Sequence, residues 1–185
     1  MYRIMLVDDE ENILKALRRV LATTPCIYDG VEYPVRVEVF TSADEALNYA
    51  RNNAVDLVLS DYRMPGKDGV AFLREFKEIQ PHAARLILSG YADLNAVIGA
   101  INEAQIYRFL NKPWNDYELV SSIAQALAYR NLMLENLHLA DKARVEKGAM
   151  TAQELERKRL EEQEPGITQV NWGPDGSVIL DISED

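Results

Sequence analysis

"DLVLSDYRMPGKDG", residues 56–69, sets the first problem. An apolar run that reads as buried strand ends on a carboxylate, Asp61, and the chain then turns on Met64-Pro65-Gly66. A charge at the edge of a core costs free energy unless it is paired or bound to metal. Asp61 therefore either caps a helix or belongs to a site.

Working outward, "YRIMLV" (2–7) predicts a strand that stops at "DDEE", and the next stretch spaces Ile13, Leu14, Leu17, Val20 and Leu21 as a helix. "VRVEVF" (35–40) is β-branched and alternating, hence a strand. Ser42 followed by Glu45 predicts a capping box before the helix "ADEALNYARNN". "DLVLS" (56–60) is a strand, "GVAFLREFKEI" (69–79) a helix, and "ARLILSG" (84–90) a strand. "DLNAVIGAINEA" (93–104) predicts a helix, "IYRFL" (106–110) a strand, and a long helix begins near Asn115. Short apolar strands alternating with helices predict an α/β fold with a parallel sheet covered on both faces. Right-handed crossovers restrict it to a doubly wound, five-stranded sheet.

Charge and composition narrow the function. The chain has 185 residues, 48% of them hydrophobic and 27% charged, which is globular usage. The net charge of -10 argues against binding nucleic acid or an anionic membrane surface. The single cysteine, Cys26, excludes an internal disulfide. "MYRIMLVDDE" turns acidic too early for a secretory signal, and no apolar run spans a bilayer, so the expected location is the cytoplasm.

In doubly wound sheets, ligands sit beyond the carboxyl ends of the strands. The first strand ends on Asp8 and Asp9, the third on Asp61 and the fourth on Ser89, and Lys112-Pro113 follows the fifth. Oxygen ligands of this kind suit a hard cation such as Mg²⁺. A lysine pairs with a phosphoryl oxygen as a point charge. A carboxylate can itself accept a phosphoryl group. The plainer readings stand beside these: Asp8 and Asp9 as acids at a helix N-terminus, Asp61 as a turn residue, and Ser89 and Lys112 as ordinary surface-edge side chains.

"LVDDE", "LVLSDYRMPGKDG", "LILSGYAD" and "YRFLNKPW", in that order within residues 2–130, resemble the receiver domain of two-component response regulators. The resemblance implies a flavodoxin-like strand order of 2-1-3-4-5. It implies that Asp61 accepts a phosphoryl group from a sensor histidine kinase or a phosphotransfer protein. Asp9 and Asp61 would bind Mg²⁺ directly, Asp8 through water, and the Arg63 backbone carbonyl would be a further ligand. Ser89 would hydrogen-bond the phosphoryl group and Lys112 would ion-pair with it. Phe109 falls at the aromatic switch position. Tyr107, two residues earlier, is expected on the same face of the strand. The Lys112–Pro113 bond is expected to be cis. No catalysis is implied beyond self-phosphorylation and self-dephosphorylation at Asp61. Within the family, "GYADLNAVIGAINEAQIYRFLNKPW" looks most like receivers that precede cyclic-dinucleotide phosphohydrolase domains.

The sequence departs from the receiver pattern twice. "TTPCIYDGVEYPVRVEVF" lengthens the connection across residues 23–36, and its Asp29-Gly30 suggests an added turn or hairpin. Beyond residue 130 the last helix continues, with Leu119, Ile123, Ala126, Arg130, Leu134 and Leu137 near heptad spacing, which suggests a coiled-coil homodimer. "TAQELERKRLEEQE" reads as a solvated helix, and "ITQVNWGPDGSVILDISED" as a small β-hairpin tail about a "GPDG" turn. Residues 151–185 hold nine acids and three bases, which disfavours DNA as the target. The expected organisation is a receiver (1–130), a helical stalk (131–164) and a hairpin tail (165–185). The expected function is a response regulator that switches contacts with a downstream protein. The alternatives are the receiver and linker of a larger output enzyme of the cyclic-dinucleotide phosphohydrolase type, or a phosphate sink or pseudo-receiver acting without its own output.

Overall fold

The computed structural model describes residues 1–90, 104–163, 165, 167, 171–172 and 178–179. The elements run β1 (Tyr2–Val7), α1 (Glu11–Thr23), β2 (Ile27–Tyr28), β3 (Val31–Glu32), β4 (Val35–Phe40), α2 (Ala43–Asn52), β5 (Leu57–Asp61) and α3 (Gly69–Ile79). They continue with β6 (Ala84–Gly90), β7 (Arg108–Lys112), α4 (Asp116–Glu146), α5 (Ala152–Gln163), β8 (Asn171–Trp172) and β9 (Val178–Ile179). The expected helix 93–104 lies outside the described residues, apart from Ala104.

The main sheet is five-stranded and parallel, in the order β4-β1-β5-β6-β7. Leaving aside the small β2–β3 pair, this is the expected order 2-1-3-4-5. Alternation along each inner strand feeds two cores. Ile4, Leu6, Leu57, Leu59, Leu86 and Leu88 face the helices α1 and α4. Met5, Val7, Val58 and Ile87 face α2 and α3, among them Phe72 and Phe76. Each fully buried Leu, Ile or Phe contributes roughly 1.5–3 kcal/mol, so the strands are held from both sides. That fixes their register and thereby the position of every strand end.

Two strand boundaries shift from expectation. β5 takes in Asp61 and releases Asp56. Asp56 instead accepts from the Arg3 amide at 2.7 Å and pairs with Arg130 at 3.0 Å. β7 begins two residues late and runs through Lys112. The buried Arg85 guanidinium draws the carbonyl of Ala104 (2.9 Å), and Gln105 takes a left-handed φ of 48°, so the chain joins the sheet only after that bend. The bend also corrects the expectation for Tyr107. It precedes β7 and packs with Tyr129 on the α4 side, while Phe109 packs on the α2–α3 side.

The 23–36 connection forms the short hairpin β2–β3, turned by Asp29 (φ 51°) and Gly30 (φ 73°). Two left-handed residues are what a tight two-residue hairpin turn requires. Cys26 and Tyr33 flank it, are buried, and anchor it in the core shared with α4. Burial pushes the Cys26 thiol up to about 11.

α4 begins at the Asn115 N-cap, whose side chain accepts from the Glu118 amide. Leu119, Ile123 and Ala126 are fully buried in the receiver core, and Arg130 is tied to Asp56. The first half of the heptad pattern is thus the helix's own core face. Beyond it, Tyr129, Leu132, Met133, Leu137 and Leu139 are exposed. The chain then doubles back: Lys158 on α5 reaches Asp141 on α4 at 3.0 Å. A capping box opens α5, with Thr151 and Glu154 bonding each other's amides. In the tail, β8 and β9 pair antiparallel, as the sequence predicts.

Candidate functional site at the carboxyl edge of the sheet

Because β1, β5, β6 and β7 are parallel and in register, their carboxyl ends meet at one edge. β1 delivers Asp8 and Asp9, β5 delivers Asp61, β6 delivers Ser89, and β7 delivers Lys112. Asp8 and Asp61 are almost completely buried and Asp9 is exposed. One carboxylate oxygen from each of Asp8, Asp9 and Asp61 lies within 4.8 Å of the others.

Lys112 crosses this cluster. Its Nζ is 2.8 Å from Asp8 Oδ2 and 2.6 Å from Asp61 Oδ1. The remaining oxygens are held by backbone: Asp8 Oδ1 accepts from the Glu10 amide (2.9 Å) and Asp61 Oδ2 from the Arg63 amide (2.8 Å). The residue at the N-cap of α1 is Glu10, which makes no side-chain cap, so neither Asp8 nor Asp9 caps that helix. Burial pushes the Asp61 carboxyl above its ordinary value, against the pull of Lys112. Burial pulls the Lys112 ammonium down, but its bonds to Asp61 and Asp8 outweigh this and hold it above the usual range.

The loop after Asp61 is folded tightly over its own backbone. The Gly69 amide donates to the Tyr62 carbonyl at 2.8 Å, and a Cβ on Gly69 would overlap the Asp61 carbonyl. Asp68 caps α3 by accepting from the Ala71 amide. Lys67 ties the loop to Asp44 and Glu75. Arg63 is brought beside Asp61 through its amide, with an exposed side chain.

Ser89 is buried, one residue beyond Leu88, the register partner of Asp61, and its hydroxyl donates to the Gly90 carbonyl at 3.3 Å. Phe109 is half-buried and sits opposite Ile87. Tyr91, two residues after Ser89 as Arg63 is two after Asp61 and expected with it to flank the path of the water that removes the phosphoryl group, lies outside the described residues. The Lys112–Pro113 bond is cis, as expected. The structure therefore brings Asp8, Asp9, Asp61 and Lys112 together, with Ser89 on the adjoining strand end. Sequence reading missed the work of Gly69, although its place at the end of "MPGKDG" was a signal for a tight turn. The donor set fits a hard cation: three carboxylates, two of them buried, with no sulfur or imidazole ligand among them.

Residues 4–124 match the family model described as the response regulator receiver domain. The hydrogenase transcriptional regulatory protein HoxA of Cupriavidus necator is 37% identical over 129 residues, 70% of this chain and 25% of that protein. The solved signal receiver domain of an HD domain-containing protein from Pseudomonas fluorescens is 35% identical, with a TM-score of 0.62 over 70% of this chain and 97% of that one. A solved response regulator receiver domain protein from Clostridium thermocellum is 32% identical, with a TM-score of 0.62 over 72% of this chain and 99% of that one. The chain spans about a quarter of the length of the curated relatives it matches. With the family model covering well over half of its residues and its strand order and fold matching, the chain belongs to the response regulator receiver family.

Proposed function

We propose that Asp61 is the phosphoacceptor of a Mg²⁺-dependent receiver, charged by a sensor histidine kinase or a phosphotransfer protein. The observation that carries this reading is a buried Asp61 contacted by Lys112 at 2.6 Å, with Asp8 and Asp9 oxygens within 4.8 Å. Asp61 attacks the phosphorus of the donor's phosphohistidine. The P–N bond breaks, a P–O bond to the carboxylate forms, and the imidazole leaves. Asp9 and Asp61 would hold the metal directly, Asp8 would act through water and the Arg63 carbonyl would be a further ligand; a cation held there would supply positive charge against the transferring phosphoryl oxygens. Lys112 exchanges a carboxylate oxygen for a phosphoryl oxygen as a preorganised cation.

Phosphorylation adds about two negative charges and three acceptor oxygens. Ser89 donates to one of them, and Phe109 follows as the aromatic switch on β7. The phosphoryl group biases a two-state element by binding one state better. The output is a protein contact through the face formed by the segment 93–104, β7 and α4, together with the C-terminal extension, in the cytoplasm, with a second copy of the chain as one candidate partner. The acid excess of residues 151–185 supports a protein target rather than nucleic acid. No activity is proposed beyond phosphoryl uptake and release at Asp61.

The test is intact mass after incubation with acetyl phosphate and Mg²⁺, beside Asp61→Ala. One added phosphoryl group in the wild type alone supports the reading. No adduct in either would mean a pseudo-receiver.

A further inference from the structure

The second half of α4 is apolar on two opposite faces. On the inner face Arg130, Leu134 and Asp141 are buried or half-buried, with Arg130 tied to Asp56 of the receiver and Asp141 to Lys158 of α5. On the outer face Tyr129, Leu132, Asn136, Leu139 and Ala143 are all exposed. Steps of three and four residues make these five an a/d heptad seam, with Asn136 at an a position. The seam suggested by Leu119, Ile123, Ala126 and Arg130 is thus used within the chain, and a second one lies behind it. A helix with one covered face is normally polar on the other.

The seam is flanked on both sides. On one, the β2–β3 hairpin lies against α4: Tyr33 packs on Tyr2 with ring centres 5.6 Å apart, and the Tyr2 hydroxyl accepts from Asn131 at 2.7 Å. This hairpin exposes Ile27, Tyr28 and Val31. Tyr28 and Val31 are direct cross-strand partners and so share a face. On the other flank Tyr129 packs on Tyr107 at 5.2 Å, and Met133 is exposed one turn further on. Apolar side chains exposed singly need no explanation, but a run along one face marks an interaction surface.

The seam itself names the occupant. Its five positions carry no charge that would repel a copy. Its helix is already fastened, to Asp56 at 3.0 Å and to Lys158 at 3.0 Å, so docking orders little chain. Asn136 offers a donor and an acceptor on one amide, and another Asn complements it. In a parallel pair in register each a position meets its own copy, so Asn136 meets Asn136. In an antiparallel pair it would face a leucine, and its amide would lose a partner on burial.

We propose that a second copy of the chain docks on this face, α4 against α4 in parallel, through Tyr129, Leu132, Asn136, Leu139 and Ala143. Parallel packing sets each helix's Asn131 flank beside the other's Met133 flank, so the β2–β3 hairpin of one copy covers Met133 of the other. This names the partner for the contact proposed above without depending on phosphorylation of Asp61.

The test is sedimentation equilibrium of the full chain over a range of concentrations, beside Asp61→Ala. A dimer is expected for both, so that failure here is distinct from failure at Asp61; a monomer at every concentration would overturn the proposal. Leu132→Glu, at a side chain already exposed in the single chain, is expected to weaken the dimer about tenfold or more, and Val31→Glu about threefold or more. Leu160→Glu, at an exposed leucine on α5, is the control and should change nothing. Equal losses at 132 and 160, or no loss at 132 or at 31, would refute this interface. Asn136→Cys should form a disulfide between copies on mild oxidation, while the buried Cys26 stays out of reach; a dimer without that link is not parallel and in register, and would sink the arrangement.

Discussion

Lys112 Nζ lies between Asp8 Oδ2 (2.8 Å) and Asp61 Oδ1 (2.6 Å), joining residues 104 positions apart in the chain. Without that ammonium, two buried carboxylates would face each other with only backbone amides to hold them. Lys112→Ala is therefore expected to lower stability in EDTA by about 2 kcal/mol, in the range for lost hydrogen bonds to charged groups. Mg²⁺ should restore part of the loss and should stabilise the variant more than the wild type. Thermal melts with and without Mg²⁺ check this; equal Mg²⁺ responses would refute it.

Gly69→Ala tests the tight loop. The new methyl would overlap the Asp61 carbonyl, which is main chain and has little room to give. A cost of about 2 kcal/mol or more is expected, as for overpacking against a rigid neighbour. Phosphoryl uptake should slow as well, since the strain falls on the backbone of Asp61 itself. Denaturant titration and timed acetyl phosphate labelling read the two effects separately.

Arg63→Ala leaves the amide that holds Asp61 in place and removes only the exposed side chain. If that side chain shields the acyl phosphate from water, the variant should load normally and lose its phosphoryl group roughly two- to fivefold faster, under about 1 kcal/mol of barrier. Decay of the phosphorylated mass with time checks this. An unchanged lifetime would rule out shielding.

The helical hairpin should open in acid. The hydrogen bond from Lys158, and with it the contact from Arg144, holds the Asp141 carboxyl below its ordinary 3.8. A carboxyl lowered on folding stabilises above its unfolded value, and the contribution is lost as pH falls through the lower folded value. Amide exchange in α5 should therefore rise as pH drops from 3.8, after correction for intrinsic rates. Asp141→Asn should show the open behaviour already at neutral pH and lose that acid dependence.

Much of the fold was legible because its signals are local. "GVAFLREFKEI" and "ARLILSG" became helix and strand at the expected residues, since apolar spacing and flanking breakers fix such segments without tertiary help. The strand shift at 106–110 was not legible. It depends on Arg85, which reaches across to the Ala104 carbonyl from another strand. The heptad pattern of α4 was visible, but its meaning was not. A repeat of Leu119, Ile123 and Ala126 reads the same whether the partner is another helix or the chain's own sheet.

Local sequence signals name the residues at the sheet's carboxyl edge: Asp8, Asp9, Asp61 and Ser89 stand where apolar runs stop, and Lys112 two residues beyond the last run. Only the tertiary structure decided that Asp8 is buried while Asp9 is exposed, and that Lys112 bridges Asp8 to Asp61. It also decided that Asp56 and Arg130 fasten α4 to the base of the sheet. The physical reason is separation along the chain. Hydrophobic period and turn chemistry act over a few residues. Burial and charge pairing across 104 residues exist only once the parallel register has brought the strand ends together.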